Sequence, residues 1–450
     1  MSPLHAPGLY ARDGLRVGME NLGELQAVRN LRHIAVVVTP SAYFLGILTN
    51  YRWYFLSLLL LVLTSLACDW HQRVLWPRLE RLIGPLLVFL ACLAASSIWA
   101  LEPLATLTAI GLPLVYAVLA ICVARWSQQE SLWRQTSPFV VLVWAIAVAY
   151  TYVYLRFGSL KPVDEEIKAA FGAGSNAGAM HVLVALPFLL WRVRARGDLL
   201  SNLSLMLALG LLLVSGTRTA YVIAPIIVAI SLGRPGVAGT ARAWRLLKAL
   251  AAVGVLVGVT ALTPVGQLVS DRLIGAVMAL ADPTTFLDPQ QGDYERAITY
   301  VEGWNAFLHN PLGGIGYMNL SNWLQARYGW GASSHNLLVT LFAEAGWPAA
   351  LAFIFLMVCF VRACISGTRL DPRPLAAQFY WAIGIAMGAA LMLSMFHQLL
   401  EFQMFYVVLG MALSAPRLPA GWRWAGRAGT PVAIQRVRRV AADFRGRLSN

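Results

Sequence analysis

Seven histidines occur in 450 residues. One of them, His335, stands beside Asn336 where a polar stretch meets a long apolar run, in GWGASSHNLLVTLFAEAGW (329–347). Ser333 or Ser334 is a natural helix N-cap there, which places His335 and Asn336 in the first helical turn. The positive end of the helix dipole disfavours imidazolium, so the ring stays neutral and able to accept a proton near neutral pH. Taken alone, the same residues also read as a structural histidine at a capped helix start.

Other groups suited to chemistry are cationic. Arg218, in LLLVSGTRTAYVIAP (211–225), falls in a minimal turn between two apolar runs. An arginine so near hydrocarbon either snorkels to lipid headgroups or faces a polar cavity and clamps an anion. Arg296 and Tyr300 are four apart in YERAITYVEGWNAFLH, so they share a helical face. The NPLGGIG run (310–316) that follows stops that helix at Asn-Pro and turns through Gly313, Gly314 and Gly316. Such a cluster is either a plain turn or a cradle of backbone amides for phosphate. Arg156, Lys161 and Lys168 flank VDEE (163–166), a segment that binds phosphate or is simply solvated, and Arg272 lies in the longest polar stretch. His181, His309 and His397 read as structural, and the sequence offers no DxD pair, HExxH or cysteine-rich ligand set, so no metal site is expected. The five cysteines fall in or beside apolar runs and read as small core residues.

The elements that position these residues are membrane helices. The chain is 58% hydrophobic and 12% charged, about half the charge of an ordinary soluble protein. Its apolar runs predict twelve spans at 33–49, 53–69, 83–100, 104–124, 138–155, 177–191, 199–215, 219–233, 247–264, 347–365, 376–396 and 399–414. With the N-terminus cytoplasmic, 27 of the 35 basic residues fall on the inner side. The net charge of +14 therefore reports membrane orientation rather than a nucleic-acid partner.

The expected organisation is an all-α polytopic membrane protein with both termini cytoplasmic. Residues 1–32 form an inner N-terminal segment and 33–264 carry spans one to nine. A long outer loop with short helices covers 265–346, and 347–414 holds the last three spans. The tail at 415–450 reads as a basic amphipathic helix on the inner leaflet. Gly346 is expected to break the 334–365 run into a short helix at the outer face and a span from Trp347. Glu344, half a turn away in azimuth from His335, is expected to satisfy backbone or another helix.

The order of SGTR (215–218), Arg296 with Trp304, NPLGGIG, and then His335, Asn336, Glu344 and Gly346 resembles the O-antigen ligase and polymerase superfamily of bacterial envelope glycosyltransferases. Thr217 replaces the serine commoner in the family's Ser-Arg turn. The resemblance implies a GT-C-like fold and transfer of O-antigen from undecaprenyl pyrophosphate to a hydroxyl on the periplasmic side of the inner membrane. Lipid A–core is the acceptor in the ligase branch, which the compact chain favours. A polymerase and a protein O-oligosaccharyltransferase are the alternatives within the superfamily, and a lipid flippase is the alternative outside it. The resemblance implies no cofactor. It assigns His335, Arg218 and Arg296 to catalysis, with Asn336, Tyr300, Arg156, Lys161, Arg272, Gly313 and Gly314 toward substrate.

Overall fold

The structure is a computed structural model that describes residues 26–42, 52–72, 80–157, 174–215, 217–232, 294–332, 336–370, 374–395, 399–400 and 402–414. These residues are helical or lie in short connections. The helices are α1 (26–42), α2 (Arg52–Gln72), α3 (Glu80–Ala95), α4 (Pro103–Gln129), α5 (Ser137–Phe157), α6 (Gly174–Ala195), α7 (Leu199–Val214), α8 (Arg218–Leu232), α9 (Tyr294–His309), α10 (Leu320–Tyr328), α11 (Gly346–Leu370), α12 (Pro374–Leu393) and α13 (Gln403–Leu413).

Among the described residues, five segments are long and apolar enough to cross a membrane: Pro103–Gln129, Leu132–Leu155, Gly178–Ala195, Gly346–Arg369 and Leu375–Leu393. They coincide with five of the twelve predicted spans. Shorter apolar helices lie at five others, Leu56–Ala67, Ile83–Trp99, Leu199–Val214, Thr219–Ser231 and Gln403–Leu413. The first ten residues of the first predicted span, 33–42, lie in α1, while 43–49 and 247–264 lie outside the described residues. At 11 residues, α13 reaches only about 16 Å, half a hydrocarbon core.

Composition explains which helices lie inside. From Ala179 to Leu189, α6 is buried on every face and is apolar except for His181. A helix apolar all round needs neighbours all round, and α5, α7, α8 and α12 supply them. Likewise α13 is wholly buried, enclosed by α4, α11 and α12. Outer helices instead keep an exposed apolar stripe, such as Leu351, Ile354, Phe355, Val358 and Val361 on α11. Apolar surface of that extent belongs against lipid.

Ring contacts set helix direction. Phe89 of α3 meets Phe353 of α11 at 5.4 Å and Trp99 just beyond α3 lies on Gly313, which abuts Gly346 at the start of α11, so these two run antiparallel. Tyr116 and Ala120 of α4 meet Tyr406 (5.4 Å) and Gly410 of α13 in that order, so these run parallel. At one end of the bundle, the motif end, α3, α7 and α12 finish and α4, α8, α11 and α13 begin. Guanidinium groups gather at the opposite end. There Arg192 donates to Thr136 and Ser201 at 3.1 Å each and stacks on Trp133, Arg194 donates to the Ser231 carbonyl at 2.7 Å, and Arg32 donates to Gln129.

Candidate functional site at the motif end

The HNLL segment is anchored to the end of α12. Asn336 is extended (φ −143°, ψ 122°), and its side-chain oxygen accepts the amides of Leu338 at 2.9 Å and Val339 at 3.2 Å. Asn336 is therefore the N-cap, and the first turn is Leu337–Val339. This corrects the sequence reading, in which Ser333 or Ser334 was the cap and residues 335–336 were helical. The other end of the Asn336 amide donates to the Met395 carbonyl at 3.1 Å, and the Leu337 amide donates to the Ser394 carbonyl at 2.8 Å. Two carbonyls beyond the last turn of α12 are thereby satisfied by the motif rather than by water. His335 itself lies outside the described residues.

After that turn the chain widens into a π-helical turn, Thr340–Glu344, closed by the Ala345 amide on the Thr340 carbonyl at 3.3 Å. The π turn presents the carbonyls of Ala343 and Glu344 to the preceding loop. They accept the amides of Ile315 at 3.0 Å and Gly316 at 2.8 Å. Gly346 then takes φ +78° and ends the element before α11, as the sequence predicts. A Cβ on Gly346 would strike the Leu312 carbonyl.

The NPLGGIGYMN loop is thus threaded between the π turn and the α3–α4 link. Its Ile315 carbonyl accepts from Leu101 at 3.0 Å, and its Tyr317 amide donates to Ser96 Oγ at 3.2 Å. Asn319 Oδ1 accepts from the Glu102 amide at 3.1 Å, and Asn319 Nδ2 donates to Thr106 at 2.5 Å. The Gly313 amide donates to Asn310 Oδ1 at 3.3 Å and the Gly314 amide to the Asn310 carbonyl at 2.9 Å. Both glycine amides are committed to protein acceptors, so the cluster is a turn and not a cradle of free amides. The demand for glycine is one of packing: Gly313 lies under the Trp99 ring, and Gly314 (φ +65°) abuts the Glu344 carbonyl.

Glu344 is buried, and its carboxylate accepts the backbone amides of Met318 at 3.0 Å and Leu320 at 3.1 Å. This is the backbone-satisfying role expected for it.

A second carboxylate, which the sequence reading did not single out, binds α9 to α10. Buried Glu302 accepts from Trp323 Nε1, Asn305, Tyr328 OH and Arg327, each at 3.0 Å. Burial alone pushes the Glu302 carboxyl upward. The hydrogen bonds from Trp323, Asn305 and Tyr328, together with the Arg327 charge, outweigh it and hold the group below its ordinary value. Arg327 also stacks over the Trp323 ring at 4.1 Å, so one of the three arginines of the long polar segment is occupied in structure. The signal available in the sequence was a glutamate on the otherwise apolar inner face of a short helix.

The structure brings the carrier segments together. Gly303 of α9 packs directly on Val339, so the helix bearing Arg296 lies against the turn that follows Asn336. Tyr300 is on the exposed side of α9. Arg218 is the first residue of α8, reached through a turn in which the Thr217 carbonyl accepts the Ala220 amide at 3.0 Å. α8 runs antiparallel to α12: Ile227 and Ile230 line a cavity with Tyr380, Trp381 and Gly384 near the start of α12. The beginning of α8 is therefore directed toward the α12 end that receives Asn336. The side chains of Arg156, Arg218 and Arg296 lie outside the described residues, as do Lys161 and Arg272.

Beneath the motif, an apolar cavity of about 470 Å³ opens between Leu337, Leu341 and Phe342 above and Phe353, Met357 and Leu391 below. A second, of about 420 Å³, shares Met357, Val361 and Leu391 with it and continues along α11 and α12 to Thr368. A Cβ on Gly388 in its wall would meet nothing within 4 Å. That glycine widens the groove rather than allowing close helix contact.

Among the described residues, no group of three or more histidine, cysteine, aspartate or glutamate side chains is placed to hold a metal ion. No curated protein matches the chain. Residues 203–354 match the sequence model of the family Wzy_C, O-antigen ligase, a range running from α7 through the first turns of α11 and containing Arg218, Arg296, His335, Asn336 and Glu344.

Proposed function

We propose that the protein is an O-antigen ligase of the bacterial inner membrane. In this reading the motif end faces the periplasm, and O-antigen polysaccharide passes from undecaprenyl pyrophosphate to a sugar hydroxyl of lipid A–core. The observation that carries the proposal is the family match over the residues that hold all the motifs, joined to the packing of their carrier segments at one end of the bundle. The arginine-rich opposite end supports the orientation, because cytoplasmic ends carry the excess of arginine.

The chemistry follows from the donor. The acceptor hydroxyl oxygen attacks the anomeric carbon as its proton passes to neutral His335. The bond from that carbon to pyrophosphate oxygen breaks in the same step, with inversion. Negative charge develops on the departing pyrophosphate, and Arg218 and Arg296 offer it fixed, bidentate cations. The step uses no metal. The groove along α11 and α12, which shares Met357, Val361 and Leu391 with the space under Leu337 and Phe342, is lined by apolar side chains apart from Arg362, Ser394 and Thr368, and suits the isoprenoid chain.

The test is a reconstituted assay offering lipid A–core, a lipid-linked glycan and pilin as acceptors in parallel. Transfer to lipid A–core, abolished by His335→Ala in a folded protein, is the expected result. Transfer to the lipid-linked glycan instead would make the protein a polymerase, and transfer to pilin a protein O-oligosaccharyltransferase. Movement of lipid between leaflets without glycan transfer would make it a flippase and overturn the reading.

A further inference from the structure

Helix α9 has two unlike faces. Thr299, Glu302, Gly303 and Ala306 are buried against the π turn and α10. On the other side Val301, Trp304 and Leu308 are 59%, 58% and 58% exposed, with Tyr300 at the edge. No charged residue lies on that outward face between Ala297 and Leu308. A water-facing helix at a membrane surface would carry charge there.

The outward face is also continuous with the apolar surface of α11. Exposed Leu312 follows Leu308 one turn on, and the Pro311 carbonyl accepts the Trp347 amide at 3.0 Å. Trp347, Leu351 and Ile354 carry the exposed apolar stripe down α11. Phe307 meets Phe342 edge-on at 5.6 Å, at the upper wall of the apolar cavity.

We infer that α9 is an interfacial shelf: the face formed by Val301, Trp304 and Leu308 is seated in the headgroup–acyl boundary of the bilayer, while its other face is held by protein. Tryptophan and tyrosine favour that depth because their rings are apolar with one polar edge. The Glu302 cluster fixes the rotation of the helix, so the apolar face is turned outward by α10 rather than by lipid alone. The inference rests on reading the chain as membrane-spanning, and it gives the proposed site a bilayer floor. The helix bearing Arg296 and Tyr300 lies at the level of a phospholipid headgroup, where a membrane-anchored pyrophosphate is presented.

The experiment places a nitroxide at cysteine in Val301→Cys, Trp304→Cys and Leu308→Cys. The full chain carries alanine at its five native cysteines and is reconstituted in phosphatidylcholine vesicles. Collisions with dissolved oxygen and with a water-soluble nickel chelate are compared at each site. Ile354→Cys on α11 serves as the lipid-facing reference and Gln325→Cys on α10 as the water-facing one. Labels at 301, 304 and 308 are expected to favour oxygen, as at 354, with the ratio reversed at 325. Nickel-accessible labels on α9 beside an oxygen-accessible 354 would overturn the inference alone. Labels on α9 shielded from both would mean protein covers the face, which also overturns it. A nickel-accessible 354 would overturn the membrane-spanning reading itself.

Discussion

The Glu344 carboxylate holds the Met318 amide at 3.0 Å, and Met318 is the one non-glycine residue with positive φ (66°) among the described residues. A side chain in that conformation costs about 1–2 kcal/mol. The carboxylate that sustains it comes from the π turn, 26 residues later in the chain. Glu344→Ala removes the carboxylate that accepts the half-buried Met318 amide and the buried Leu320 amide. The expected loss is about 3 kcal/mol, read as a lowered thermal midpoint in detergent. Glycan transfer should fall in parallel, because the loop and the π turn no longer register.

Two left-handed glycines separate conformation from packing. Gly329 (φ +75°) has open space around a built Cβ, whereas a Cβ on Gly314 (φ +65°) meets the Glu344 backbone. Gly329→Ala should cost only about 1 kcal/mol. Gly314→Ala adds overpacking and should cost about 3 kcal/mol. Thermal midpoints of the two variants, measured side by side, check the difference.

Asn336 is expected to act through position. Asn336→Asp keeps the cap oxygen for Leu338 and Val339 but cannot donate to Met395. Asn336→Ala loses both and should destabilise by about 2 kcal/mol. In transfer kinetics the aspartate variant should lower kcat with little change in donor KM, because the segment is misplaced without losing a donor contact. Equal effects on KM would point to direct substrate binding.

Glu302 predicts an acid transition. Its carboxyl is held below the ordinary value in the folded state, so its stabilisation is complete above the ordinary carboxylate pKa of about 4.3. It is lost as pH falls through the lowered folded value. Protection of α10 amides, taken as exchange relative to the intrinsic rate at the same pH, should therefore fall in the parent as pH drops below the ordinary carboxylate range. In Glu302→Gln that protection should be low throughout and flat across the same range.

Arginine geometry gives a test of the proposed leaving-group role. Arg218→Lys keeps the charge but replaces a fork by a point donor, and transfer should fall by about a hundredfold with folding intact. Transfer by the parent should survive a chelator; its loss would refute the metal-free step.

The break at Gly346 was legible because a run of that length cannot be one span and glycine supplies the required φ locally. Glu344 was placed correctly because a buried carboxylate facing away from the histidine needs other donors. The cap was misassigned for a physical reason. Serine and asparagine cap almost equally well, and the choice is made by the Met395 carbonyl, 59 residues away in sequence. The π turn left no local trace either, since its carbonyls are claimed by Ile315 and Gly316 from a separate loop. The glycine cluster shows the converse: composition allowed both a turn and a phosphate cradle, and hydrogen bonds to Asn310 decide for the turn.

The bond from Leu337 to Ser394 and that from Asn336 to Met395 also set an order of assembly. During synthesis the HNLL segment emerges before the helix whose end anchors it. Its cap can be locked only after α11 and α12 have both been made and brought alongside each other. Maturation of the site is therefore a late event of biogenesis, and a nascent chain halted before Ser394 carries every proposed catalytic residue yet lacks the fastening that sets them.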